Sequence, residues 1–395
     1  MIKMLENIKL NDLILGKKLG SGAFGDVFIS KVSGSDKVYA IKRLEKSRYK
    51  RNPKAYRYLE NEIEILNKMN HENIIRLYNS DLETPKYKYL ITEYCNGGDL
   101  NGILEYYKDE KKRPFTEEEI QYIMRQIISG IKYLHDNKII HRDLKLQNIM
   151  LHYENEEDRL QKNILKAKIK IIDFGFARYN EGTSIIGSPM YMDPRILMKL
   201  IRVDNIKDFS YEQKADIYSL GVICYYLLTG NPPFDVQSME DLVKATKKGE
   251  FEISSDLSKE AILFLNNMLR YDPKKRLNIK QLSEHAFITN NVKTFSKVDD
   301  LGNQLIFDMN TSCIMFKDKK TGEKQIIDDS KSIKIIDIKE NSKENKKVDV
   351  QKVPSNIEKL IWDSFKIINK DGLSIEPKLV SFIPGVSPDI VLEKH

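Results

Sequence analysis

Short alternating runs open the chain. Residues 13–19, 27–31 and 38–43 are β-branched or alternate apolar with polar, and Gly, Ser and Asp turn residues separate them, so they predict strands. A helix is expected around residues 56–69, where Leu59, Ile63 and Leu66 fall on one face. Two further strand-like runs follow at 74–77 and 87–94. The period then lengthens. Thr116 and Glu119 form a capping box that opens a helix through Leu134, with Ile120, Ile123, Ile127 and Ile131 in phase. Residues 215–228 are apolar on every face and stop at Gly230, which reads as a buried helix; residues 259–269 read as another helix. From about residue 290 strand-like runs return at 304–307, 312–316, 324–327 and 332–338. A charged loop (339–352) and an amphipathic helix (355–368) carrying the only tryptophan, Trp362, come after them. The expectation is an α+β chain of two domains: 11–288, β-rich and then helical, and a small α+β domain at 289–395.

A length of 395 residues suits two domains. The net charge of +7 is spread along a Lys-rich chain, favours anionic partners weakly and does not require nucleic acid. Cys95, Cys224 and Cys313 are odd in number and lack metal-type spacing, which argues for a reducing compartment and against a disulfide framework. Neither a signal peptide nor a run of 18 apolar residues is visible, so a cytoplasmic protein without a membrane span is expected.

Candidate chemistry sharpens this picture. Gly20, Gly22 and Gly25 lie between two predicted strands, where bare backbone N–H groups can approach phosphate oxygens. Alone, that triplet equally describes a hairpin turn. Lys42 closes the strand Tyr39-Ala40-Ile41-Lys42, and a helical carboxylate some twenty residues on can fix it against phosphates; Glu62 has the better register, with Glu60 and Glu64 as rivals. The run Ile140-His141-Arg142-Asp143-Leu144-Lys145-Leu146-Gln147-Asn148 decides the chemistry. Asp143 can orient a hydroxyl, Lys145 can neutralise a transferring phosphoryl group, and Asn148 can ligate magnesium. Asp173, in Asp173-Phe174-Gly175, supplies a second metal ligand. Two carboxylates alone would also suit a hydrolase, but the lysine, the asparagine and the glycine loop disfavour that.

These motifs resemble the eukaryotic protein kinase superfamily over residues 11–288. The resemblance implies a bilobal fold with a β-rich N-lobe and a helical C-lobe, protein substrates, and ATP with Mg²⁺ as cofactors. Lys145 and Ser188 look like the serine/threonine branch. Asn70-His71-Glu72-Asn73-Ile74-Ile75, residues 93–100, residues 173–178 and residues 187–192 look most like the autophagy-initiating ULK-type kinases. By matching position, Leu19, Gly20, Ser21, Gly22, Ala23, Phe24 and Gly25 would cover the nucleotide, and Glu93 to Cys95 would bond the adenine edge behind a small gatekeeper, Thr92. Asp99 would reach the ribose, while Val27, Ala40 and Met150 would enclose the purine. Leu66, Leu77, His141 and Phe174 would stack as a regulatory spine, although plain core packing serves those apolar positions as well. Arg142 before Asp143 implies activation by loop phosphorylation, at Thr183 or, better placed, Ser184. Gln147 stands where basic-directed kinases often carry an acidic residue, which argues against a strong preference for an upstream arginine.

One departure stands out. Where the family has Ala-Pro-Glu, this chain has Asp193-Pro194-Arg195, and the arginine that normally pairs with that glutamate matches Arg276. Two like charges about 4 Å apart would repel by roughly 4 kcal/mol at an effective dielectric of 20. Either Arg195 points elsewhere or Asp193 compensates, and a loosened activation segment is the expectation. The lost glutamate also admits a second reading, a pseudokinase scaffold whose C-terminal domain supplies the function. Residues 154–166 read as an inserted, solvent-exposed hairpin. The C-terminal domain loosely resembles a polo-box module, which would imply protein binding or self-association.

Overall fold

The computed structural model describes residues 9–22, 25–34, 36–50, 53–179, 188–200, 212–236, 238–249, 251–253 and 257–289, and four strands beyond them. The chain divides into two compact units, Met1–Ile288 and Thr289–His395.

The first unit begins with β1 (Leu13–Gly22), β2 (Gly25–Val32) and β3 (Val38–Glu45), then α1 (Lys46–Lys50), α2 (Pro53–Lys68), β4 (Leu77–Glu83) and β5 (Tyr87–Glu93). The five strands form one antiparallel sheet in the order β1-β2-β3-β5-β4. Strand alternation sorts its two faces. Tyr39, Ile41, Tyr89 and Ile91 form a small cluster on one face. Val27, Lys42, Leu90, Ala40 and Thr92, which are cross-strand partners, share the other. The β1–β2 turn is held tight at its far end, because a Cβ on Gly25 would sit 1.9 Å from the Arg43 carbonyl oxygen.

The helical part comprises α3 (Leu100–Asp109), α4 (Glu117–Asp136), β6 (Ile139–Ile140), β7 (Ile149–His152), α5 (Glu156–Leu160), β8 (Lys168–Ile171), β9 (Arg178–Tyr179), α6 (Pro194–Leu200), α7 (Gln213–Thr229), α8 (Met239–Lys248), α9 (Lys259–Leu269), α10 (Ile279–Ser283) and α11 (Ala286–Thr289). β6 pairs with β9 and β7 with β8. Helix α4 starts at the expected capping box: Thr116 accepts from the Glu119 backbone N–H, and Glu119 accepts from that of Thr116. Glu119 also takes a forked pair of bonds from Arg113 and one from the Tyr107 hydroxyl, clamping α3 to α4. Helix α7 is buried on every face and ends at Gly230 (φ 75°), as the apolar run predicts. Each fully buried Leu or Ile on it is worth about 2 kcal/mol, so α7 is the post on which the helical part is built.

Four expectations change. Residues 74–77 are not a strand: Ile74 makes only an isolated bridge to Ile171, Ile75 N–H bonds the Ile171 carbonyl, and β4 starts at Leu77. An apolar run buried against β8 looks like a strand in sequence. Residues 154–166 form α5 and a 3-10 turn (Ile164–Lys166) instead of a hairpin, because Ile164 is fully buried and anchors the segment to the core. Helices α3 and α8 lie where the hydrophobic pattern gave no expectation, although Asp99 and Ser238 cap them.

In the second unit β10 (Thr294–Val298), β11 (Gln304–Asp308), β12 (Cys313–Lys317) and β13 (Lys324–Ile327) make a sequential antiparallel meander. β10 is a strand the sequence reading missed. The expected strand at 332–338, loop at 339–352 and helix at 355–368 with Trp362 lie outside the described residues.

Candidate active site

The glycine turn opens the site. Gly20 pairs with Val27, Gly22 pairs with Gly25, and Ser21 donates to Asp26 at 3.1 Å. Leu19, on β1, is 46% exposed. Ala23 and Phe24 lie outside the described residues. Beneath the turn, Lys42 Nζ contacts both carboxylate oxygens of Glu62, at 3.1 and 3.0 Å. This selects Glu62 over Glu60 and Glu64. Burial alone would push the Lys42 ammonium down, but Glu62 and Asp173 outweigh it and hold the lysine above its ordinary range. A cation is thus fixed at the back of the cleft.

The edge between the two parts is braced. Glu93 accepts from the Arg76 backbone N–H (2.7 Å) and ion-pairs with Lys170 on β8 (2.9 Å). His152 Nδ1 lies 3.1 Å from the Tyr94 carbonyl, and Asn96 exchanges two hydrogen bonds with the Tyr153 backbone. Thr92 pairs with Ala40 across the sheet. Cys95 is buried, which pushes its thiol up to about 12 and leaves it an unreactive core residue. Asp99 caps α3 through Gly102 N–H (2.8 Å) and bridges to Met150, which packs against the core.

The loop after β6 carries the reactive groups. Asp143 is 4% exposed. Its carboxylate accepts from Lys145 Nζ (2.8 Å) and from the Ser188 hydroxyl (3.0 Å), while Lys145 also reaches Ser188 at 3.1 Å. Asn148 Nδ2 donates to the Asp143 carbonyl (2.8 Å) and to its carboxylate (3.1 Å). That leaves the amide oxygen of Asn148 for a cation. Asp173 is exposed, takes a left-handed backbone (φ 64°) and adds a hard carboxylate. One amide oxygen and one carboxylate fit Mg²⁺, which keeps waters and binds phosphates with few protein ligands. Phe174 is fully buried and meets His141 edge-on at 5.1 Å, while Leu66 and Leu77 lie in the same core cluster.

Sequence reasoning treated Asp216 only as scaffold. The structure gives it a larger part: its buried carboxylate accepts from the His141 and Arg142 backbone N–H groups, both at 2.9 Å, and pairs with His135. Burial would raise this carboxyl, but His135 and the N–H donors hold it low. The Arg142 backbone stands at φ 72°, a conformation costing about 1–3 kcal/mol for a non-glycine residue. Asp216 is what holds it there. Arg142 is buried; Thr183 and Ser184 lie outside the described residues.

The departure at 193–195 resolves in favour of compensation. Asp193 is fully buried and accepts from Arg276 Nη1 at 2.5 Å. It also accepts from Arg195 N–H (2.9 Å) and Nε (3.3 Å). Burial alone would raise the carboxyl, yet the two guanidinium groups hold it below the ordinary range. One carboxylate serves both arginines, so the expected repulsion loses its cause, and with it the argument for a loosened segment.

Residues 13–288 match the family model described as protein kinase domain. The chain is 36% identical over 286 residues to serine/threonine-protein kinase 33 of Bos taurus, covering 70% of this chain and 55% of the relative. The mouse kinase of the same name is 35% identical over 289 residues, covering 70% and 54%. Serine/threonine-protein kinase atg1 of Dictyostelium discoideum is 33% identical over 290 residues, covering 72% and 40%. The chain therefore spans about half the length of the curated relatives it matches.

Proposed function

The chain belongs to the protein kinase family, and from that premise we propose that it transfers the γ-phosphate of ATP to serine or threonine hydroxyls of protein substrates. The observation that carries this reading is the reactive cluster itself: Asp143 is held by Lys145, Ser188 and Asn148, opposite an intact Lys42–Glu62 pair. Asp143 accepts the hydroxyl proton and aims the oxygen, and Lys145 steadies the phosphoryl oxygens. Lys42 and the 19–25 turn hold the phosphates, while Val27, Ala40, Thr92, Glu93, Cys95, Asp99 and Met150 frame the nucleoside. Mg²⁺, when bound, spreads the phosphate charge; Asn148 and Asp173 are the residues that hold it.

Activation-loop phosphorylation at Ser184 or Thr183, read by Arg142, is part of the proposal. Mass spectrometry of fully active protein with neither residue modified would refute that part. The likeness to atg1 supports an autophagy-type grouping, whereas the two higher-identity relatives carry a different name. No helix among the described residues is long and apolar enough to cross a membrane, which accords with a cytoplasmic site of action. We further read residues 289–395 as a small α+β domain for protein binding or self-association, polo-box-like in its run of antiparallel strands. The pseudokinase reading rested on the missing glutamate, and Asp193 removes that support.

Lys42→Met and Asp143→Asn should each abolish ATP-dependent phosphorylation of a generic protein substrate without changing the fold. Retained transfer in either variant overturns the assignment.

A further inference from the structure

Helix α2 meets the rest of the first unit in two chemically different ways. Leu59, Ile65 and Leu66 bury themselves in the core, and such apolar packing has no direction. It holds α2 near the sheet but permits the helix to roll about its axis or slide along it. The Lys42–Glu62 pair tolerates neither motion, since it depends on separations of 3.0 and 3.1 Å.

Directional interactions lie on the neighbouring stripe of the same helix. Asn61, beside Glu62, donates through Nδ2 to the Ala177 carbonyl at 2.6 Å. Tyr58, one turn earlier and so on the same face as Asn61, meets Phe176 edge-on, with ring centroids 5.3 Å apart and planes at 90°. The Arg178 guanidinium lies 5.3 Å from the Tyr58 ring centroid, and its Nη1 donates to the same Ala177 carbonyl at 3.2 Å. That carbonyl is thus tied from both sides. Residues 176–178 follow directly on Asp173-Phe174-Gly175, and Arg178 then pairs with Ile140, the residue before His141. A continuous path therefore runs from the strand that delivers Asp143 to the helix that aims Lys42.

We propose that Tyr58 and Asn61 are positioning residues for the Lys42–Glu62 pair, a clasp that makes the aim of Lys42 depend on where residues 176–178 lie. The inference rests on the kinase reading of the site. It also defines a route by which a change downstream of Phe174 reaches the phosphate-holding lysine without touching the nucleotide.

The test is a double-mutant cycle paired with amide hydrogen exchange on the full chain. Tyr58→Ala with Asn61→Leu should lower kcat by about tenfold, a few-fold for each directional interaction removed. KM for the protein substrate should stay unchanged. Glu62→Gln should then cost distinctly less in that background than in the parent, because the carboxylate is already misaimed. Exchange across residues 62–68 should quicken while α7 stays as protected as before. Tyr58→Phe keeps the ring and should behave as the parent. If the paired variant fails to fold, Asn61→Leu alone carries the same comparisons. Additivity with Glu62→Gln, or unchanged exchange across 62–68, overturns the clasp. A parent chain that transfers no phosphate overturns the kinase reading, and exchange alone then decides the clasp.

Discussion

Removing the Asp193 carboxylate is the most informative perturbation outside the cleft. Asp193 and Arg276 are both fully sequestered from water. In Asp193→Ala the Arg276 guanidinium keeps its bonds to the carbonyls of Arg270 (2.6 Å), Lys214 (3.0 Å) and Tyr271 (3.0 Å), and its place 4.9 Å from the Tyr218 ring centroid. It loses its counter-charge. Lys214, whose ammonium bonds the Arg276 carbonyl and is held low by burial and by Arg276, adds to the excess positive charge. Breaking one side of a buried ion pair costs about 3–5 kcal/mol. For a unit of this size that corresponds to a fall in Tm on the order of 10 °C. Thermal and urea unfolding should show it, and the phosphorylation rate should fall further than the folded fraction does, because Ser188 and Asp143 sit at the other end of the same segment. Adding Arg195→Glu to Asp193→Ala should recover part of the loss, since a carboxylate is then again within reach of Arg276. An Asp193→Ala protein within about 1 kcal/mol of the parent would refute the reasoning, as would a double variant worse than the single one.

Acid should act first at the α3–α4 clamp. Burial pushes the Glu119 carboxyl up, but the Arg113 fork, the Thr116 N–H and the Tyr107 hydroxyl outweigh it and bring it down to about 2. A carboxyl lowered in the folded state stabilises above its unfolded value and loses that contribution as pH falls through its folded one, here from roughly 4.5 toward 2. The contribution is about 3 kcal/mol, so a Tm-against-pH curve should drop across that window and Glu119→Gln should flatten it. At the hinge, Lys170→Met should raise KM for ATP about fivefold with kcat nearly intact, through loss of one charge-assisted hydrogen bond that fixes Glu93. An unchanged KM for ATP would remove Lys170 from the nucleotide site, and Lys170→Arg should restore the parent value.

Much of this could be read without coordinates, for a physical reason. Phosphate handling demands fixed residue types at fixed order, so the glycine turn, Lys42, Asp143, Asn148 and Asp173 announce themselves locally. Helices with their own caps and periodicity did the same at Thr116 and Gly230. What stayed hidden was whatever depends on a distant partner. The choice of Glu62 among three carboxylates needed the Lys42 distance, and the role of Asp216 needed the Arg142 backbone angle. The sequence put Arg195 opposite Arg276, yet only packing showed that Asp193 lies between them. Residues 154–166 were misread because Ile164, one apolar residue in a charged stretch, outweighs its neighbours once it finds the core.

The fully buried ring of Phe174 has a consequence for inhibitor chemistry. A compound that needs this ring swung out must first populate a state in which a large apolar side chain has left the core and its edge-on packing with His141 is broken. Re-exposing such a side chain costs about 2–3 kcal/mol, and a ligand selective for the rarer state loses affinity by that population factor, roughly 30- to 150-fold. A compound that occupies the adenine space and leaves Phe174 in place escapes this penalty. The threonine at position 92 gives it further room to grow inward. First-generation ligands for this chain should therefore be sought among those that accept the ring where it is.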